Sequence, residues 1–126
     1  VVLPGAGQMK FVRKLIESRP MFDRIPDQSL ITDALGASDR IQATRGNDYM
    51  FVYSSQGKKF TVNTNKISGK EIMAYWYNPR NGEVKVIGKT IKHAQQEFTP
   101  PTSGYGHDWV LVIDDASKNF KQPGQS

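Results

Sequence analysis

The chain has 126 residues, a net charge of +5, 37% apolar and 23% charged residues, and no cysteine. These values fit one soluble globular domain and exclude a disulfide scaffold, a thiol nucleophile, a zinc finger and an iron–sulfur site. No apolar run approaches the roughly 18 residues that span a bilayer, and two histidines, His93 and His107, do not make a multi-histidine metal centre.

The first residue, Val1, is not an initiator methionine, and the short uncharged start is no signal peptide. The sequence therefore reads as a piece of a longer polypeptide. From Gln8 to Ser18 the apolar positions are Met9, Phe11, Val12, Leu15 and Ile16. At about 100° per residue they fall within an arc of roughly 160°, which predicts an amphipathic helix of about three turns. Pro20 disfavours helical geometry at the residue before it and should stop the helix near Ser18 and Arg19. Residues 19–28, with Pro20 and Pro26, read as a linker.

From about Ile31 the period changes to two. Residues 40–44 alternate, with Ile41 and Ala43 on one face, and residues 49–54 form an aromatic and valine-rich run. Ser55-Gln56-Gly57 reads as a turn, after which residues 59–63 put Phe60 and Val62 on one face. Ser68-Gly69 marks another turn. In residues 71–77, Ile72, Ala74 and Trp76 face one way and Met73, Tyr75 and Tyr77 the other. Asn78-Pro79-Arg80-Asn81-Gly82 is the strongest turn signal, because proline presets one backbone angle and Asn-Gly tolerates positive ones. Val84, Val86 and Ile91 continue beyond it, residues 96–99 predict a short strand, and residues 109–113 a final apolar one. The polar tail after Lys118 reads as frayed. About seven short strands near ten residues apart, preceded by one amphipathic helix, predict an all-β chain folded as an antiparallel β-sandwich, with a closed barrel as the alternative.

Catalytic signals are weak throughout. Pro4-Gly5-Ala6-Gly7 lacks the spacing, the preceding strand and the lysine of a phosphate loop. Ser103, His107 and Asp108 are close in sequence, but adjacent residues on an extended chain point apart, so they do not read as a triad. Asp114-Asp115 reads as solvated acids at a strand end rather than a calcium site, and no pair of carboxylates stands out for glycosidase chemistry. No metal or cofactor is therefore expected. Residues 1–25 carry five basic and two acidic residues, whereas residues 26–126 carry twelve and ten, so the positive charge forms no stripe and nucleic acid is not expected as a partner. Aromatics are the richer group. Trp76 and Trp109 are assigned to the core with Ile72 and Ile113, and Tyr75 and Tyr77 to an outward or partner-facing surface.

Several strings, taken in order, carry a family likeness. They are Arg19-Pro20, Ile25-Pro26-Asp27-Gln28-Ser29-Leu30, Ala43-Thr44-Arg45-Gly46 with Asp48-Tyr49, Phe51-Val52-Tyr53, the Trp76-Tyr77-Asn78-Pro79-Arg80-Asn81-Gly82 turn, Phe98-Thr99-Pro100-Pro101, and Asp108-Trp109-Val110-Leu111-Val112. Over about residues 4–118 the chain resembles the small C-terminal domain that follows a (β/α)₈-barrel in bacterial glycoside-hydrolase-like proteins, described as a putative collagen-binding domain of a collagenase. The resemblance implies three segments: residues 1–25 as the last loop and helix of a preceding barrel plus a linker, residues 26–118 as an accessory β-sandwich, and residues 119–126 as a polar tail. It implies that catalytic residues lie upstream in the barrel and that the fragment alone is inactive. It implies domain docking, in which Met9, Val12, Leu15 and Ile16 pack on the sandwich or on the missing barrel, and Met73, Tyr75 and Tyr77 are the candidates for the sandwich's docking face. Arg45, Asp48, Tyr49, Arg80, Tyr105 and His107, at strand ends and turns, are the candidates for binding polysaccharide or collagen. It also implies export, to the periplasm or beyond, in a bacterium.

Overall fold

The computed structural model describes residues 13–18, 24–26, 42–54, 59–67, 69–79, 81–92, 95–102, 108–118, 120 and 123. Residues 13–17 are helical (α1), and the Ser18 amide and hydroxyl both donate to the Leu15 carbonyl where the helix ends. The strands are β1 (Ile25–Pro26), β2 (Gln42–Arg45), β3 (Tyr49–Ser54), β4 (Phe60–Val62), β5 (Glu71–Tyr77), β6 (Val84–Ile91), β7 (Gln96–Phe98) and β8 (Trp109–Asp115). Short 3₁₀ turns follow β4 at Thr64–Lys66 and β8 at Ala116–Lys118.

Six strands form one antiparallel sheet in the order β1-β2-β3-β8-β5-β6, and β4 and β7 form a second. This is the expected antiparallel sandwich, with one large and one small layer. Alternation sorts the side chains onto two faces. Between the layers lie Met50 and Val52 of β3, Ile72, Ala74 and Trp76 of β5, and Trp109, Leu111 and Ile113 of β8, closed by Phe60, Val62 and Phe98 from the small sheet. The Trp76 ring meets Phe60 and Trp109 edge-on at 5.9 Å and 6.5 Å, the arrangement that ring quadrupoles favour. Trp76 and Trp109 thus occupy the core with Ile72 and Ile113, as expected from the sequence.

The other face of the large sheet is also apolar. Tyr49, Phe51, Tyr75, Tyr77, Val110 and Val112 form a second cluster, into which α1 sends Leu15. The central strand β8 is therefore buried along its whole length, Asp114 and Asp115 included. The expected solvation of those two acids is corrected.

Two further readings change. Ile25 and Pro26 pair with Arg45 and Thr44, so part of the expected linker is an edge strand. Proline is tolerated there because an edge strand leaves one row of amides unused. Phe120, in the tail read as frayed, packs on the second cluster and meets the Tyr49 ring edge-on at 6.4 Å. The Asn78–Gly82 turn behaves as its residues dictate. The Gly82 amide donates to the Asn78 carbonyl at 2.7 Å, Gly82 takes φ 80°, and the Asn78 amide reaches Glu83 across the hairpin.

Candidate functional site

The second face of the large sheet is the feature that a plain two-layer sandwich does not need. Its rings are packed inside this chain. Tyr75 and Tyr77 are 5% and 1% exposed, which removes the outward alternative of the two expected and leaves the partner-facing one. Met73, on the same face, is half-buried against them. Leu15 is 3% exposed within the cluster, and Ile16 is half-buried. Met9 and Val12 lie outside the described residues.

Arg24 fastens α1 to this face. Its Nε donates to the Tyr49 hydroxyl at 2.6 Å and its Nη2 to the Ile16 carbonyl at 2.8 Å. The guanidinium also sits 5.4 Å from the Tyr49 ring centroid and 5.2 Å from that of Phe51, within cation–π range. One side chain thus joins the last turn of the helix to β3. In the sequence Arg24 stands out only as a charge. Its spacing eight residues beyond Ile16 carries no motif, and only the fold brings Tyr49 to it.

Of the candidate binding residues, the three that the structure describes lie together. Arg45, Asp48 and Tyr49 flank the β2–β3 hairpin, where the Gly46 amide donates to the Tyr49 carbonyl and the Asp48 carbonyl accepts from the Asp115 amide. Tyr49 is 1% exposed, its ring covered by Arg24 and Phe120. The Asn78–Gly82 turn lies at the other end of β5, about 20 Å away at roughly 3.4 Å per residue. Arg80, Tyr105 and His107 lie outside the described residues.

At that other end, the Tyr53 hydroxyl donates to Asp108 Oδ2 at 3.1 Å. Burial first, and then the Asp108 carboxylate, push the Tyr53 phenol from 10.0 up to about 12. Burial likewise pushes the Tyr77 phenol up. The Trp109 indole donates to Thr102 Oγ1 at 2.9 Å, which satisfies its buried N–H. Among the described residues no group of three or more His, Asp or Glu side chains is arranged to hold a metal ion, and no helix is long and apolar enough to cross a membrane.

The edge strand β6 completes the second face. Val84 and Val86 lie opposite Tyr77 and Tyr75, on the side of the rings. A bulge then adds Ile87 between the pairs Tyr75–Val86 and Ala74–Gly88, with Gly88 at φ 129°. Val86, Ile87 and Ile91 are 53%, 44% and 63% exposed.

Comparison with known proteins places this architecture. The sequence pattern of the family described as "Putative collagen-binding domain of a collagenase" matches residues 25–114. A crystal structure of a glycoside hydrolase family 5 protein from Bacteroides vulgatus ATCC 8482 superposes on 98% of the chain with a TM-score of 0.88 and 36% identity. A second solved structure, described as a glycoside hydrolase, superposes on 94% with a TM-score of 0.88 and 38% identity. The chain spans only 27% of the length of either. A search of curated proteins finds no match.

Proposed function

Because the chain belongs to the family described as "Putative collagen-binding domain of a collagenase", we propose that it is a non-catalytic accessory β-sandwich of a bacterial glycoside hydrolase that docks on the catalytic barrel of the same polypeptide and stabilises it. The observation that carries this reading is the second apolar face, built on a sandwich that already has a complete core and closed by a helix through Leu15. A second apolar face gives further protein a surface to pack on beside the helix. The solved relatives support it, since the equivalent segment makes up 27% of chains described as glycoside hydrolases. In this reading Met9, Val12, Leu15, Ile16, Met73, Tyr75 and Tyr77 form or back the docking face. Catalysis belongs to the barrel, and the family's description as part of a collagenase supports export from the cell.

The test joins this chain to the remainder of the Bacteroides vulgatus protein in place of its own matched segment. The expected result is a higher thermal midpoint for the remainder than it has alone. An unchanged midpoint overturns the docking role.

A second reading, a module that binds polysaccharide or collagen, is favoured by the family's description. Its candidate residues are Arg45 and Asp48 with Arg80, Tyr105 and His107, while Tyr49, 1% exposed beneath Arg24 and Phe120, has no surface to offer a ligand. Salt-resistant retention on insoluble polysaccharide or fibrillar collagen, lost on alanine substitution at Arg45 or Asp48, is its expected outcome. Retention unaffected by those substitutions removes these residues from the site.

A further inference from the structure

The docking reading leaves open which part of the surface the barrel covers beyond α1. Among the described residues four large apolar side chains are exposed, and three of them, Val86, Ile87 and Ile91, are on β6. Val86 and Ile91 lie on the same side of the sheet as the second cluster, because Val86 faces Tyr75 and Ile91 faces Glu71, two positions along from Met73. From the Leu15 contact the apolar surface therefore runs across Tyr75 and emerges into solvent at Val86, while exposed Lys89, opposite Met73 on the same side, stands between Val86 and Ile91. Ile87 is the extra residue of the bulge and turns the strand at that point.

We propose that this exposed side of β6 is an interface, and that its occupant is the catalytic barrel of the same polypeptide. The inference rests on the accessory-domain reading above. Two observations select this occupant. The apolar strip is continuous with the face that α1 closes, and in both solved relatives most of the chain lies outside the matched segment. A second copy fits poorly. Strand-to-strand pairing along β6 would bring exposed Lys85 and Lys89 against the same residues of another chain, and the bulge with Gly88 at φ 129° breaks the ladder such pairing needs. A side-on contact with a larger body needs no ladder, and Lys89, the one charge of β6 on this side, can lay its stem along the contact with its ammonium at the rim.

The chain has no cysteine, so V86C and I91C each place a single thiol on the strip. Their alkylation rates are read peptide by peptide in the isolated chain and in the joined protein described above. The interface predicts that both thiols react roughly tenfold or more slowly in the joined protein. The same thiols are followed in the isolated chain as the separately purified remainder of the Bacteroides vulgatus protein is titrated in, so that a joined protein that fails to fold does not end the test. If the thermal midpoint rises on joining while both thiols react as fast as in the isolated chain, docking stands but this surface is wrong. If neither the midpoint nor the rates change, the accessory reading fails together with the inference. Protection that grows with the concentration of the isolated chain, alongside a dimer mass, names a second copy as occupant and overturns the proposal.

Discussion

Arg24 does with one side chain what two separate contacts would otherwise do. It satisfies a carbonyl at the end of α1 and a phenol on β3 while lying over two rings. Replacing it with alanine leaves the buried Tyr49 hydroxyl without this donor, and should cost about 1–3 kcal/mol. Lysine, a point charge without the planar fork, should recover only part of the loss. Urea midpoints of the two variants check this, and equal stability of parent and alanine variant would refute it. Tyr53 makes a pH prediction. Its pKa is raised from 10.0 to about 12 in the folded chain, by burial and then by Asp108. Its contribution to stability is therefore complete below pH 10 and falls as pH rises from 10 toward about 12, where the unfolded chain loses the proton first. Asp108→Asn should lower the Tyr53 titration without returning it fully to 10.0, because burial, the larger cause, remains. Tyrosinate absorbance, taken as the difference from a Tyr53→Phe variant, measures it.

Two glycines separate backbone strain from packing at the ends and edges of strands. Gly69 leads into β5 at φ 88°, and a Cβ there would overlap Asp115 Oδ1 and Cγ. That carboxylate cannot swing aside freely, since Oδ1 accepts from the Ser117 amide at 2.9 Å and its hydroxyl at 2.7 Å. Gly88 sits in the β6 bulge at φ 129°, and a Cβ there meets nothing within 4 Å. Gly88→Ala should therefore cost only the backbone term, about 1 kcal/mol, whereas Gly69→Ala should exceed it by about 1–2 kcal/mol of steric conflict. Chemical denaturation of both variants tests the order, and a reversed order would show that Asp115 yields. These elements also mark where the sequence is legible. Strands β3 and β5 stand out because they combine strict alternation, aromatic and β-branched residues, and clear turns on either side. The bulge is hidden because one added residue breaks the period without a signal that one sequence can supply. Strand β1 is hidden because two residues have no period at all, and Pro26 points the other way. The two-sided burial of β8 was half legible: its unbroken apolar run shows, but Asp114 and Asp115 look like its end. The candidate binding residues share a place near strand ends. Proximity to an end does not say which end, and the fold sends Asp48 and the Asn78 turn to opposite ones.

At the scale of the molecule, the two apolar clusters divide the work unequally. The inner one joins both sheets and defines the sandwich, so a cavity there loosens both layers. The outer one joins the large sheet to α1 and Phe120, elements from opposite ends of the described chain. Leu15 belongs only to the outer cluster, and Ile113 only to the inner one. Both are nearly fully buried, at 3% and 0% exposure, so truncating either removes a similar amount of apolar contact, about 2–4 kcal/mol. The consequences should differ. Ile113→Ala should lower the global unfolding midpoint and speed hydrogen exchange throughout β3, β5 and β8. Leu15→Ala should instead release α1 by local opening, leaving exchange in β5 and β8 close to that of the parent. It should also expose Tyr49, Tyr75 and Tyr77 enough to bind a hydrophobic dye such as ANS. The variant then becomes a sandwich with an open second face. Joined to a glycoside hydrolase remainder, it should lose part of the thermal gain that docking confers, although its own core is intact. Equal exchange effects from the two variants would mean that the clusters unfold as one unit, and that α1 is part of the sandwich rather than a cover over it.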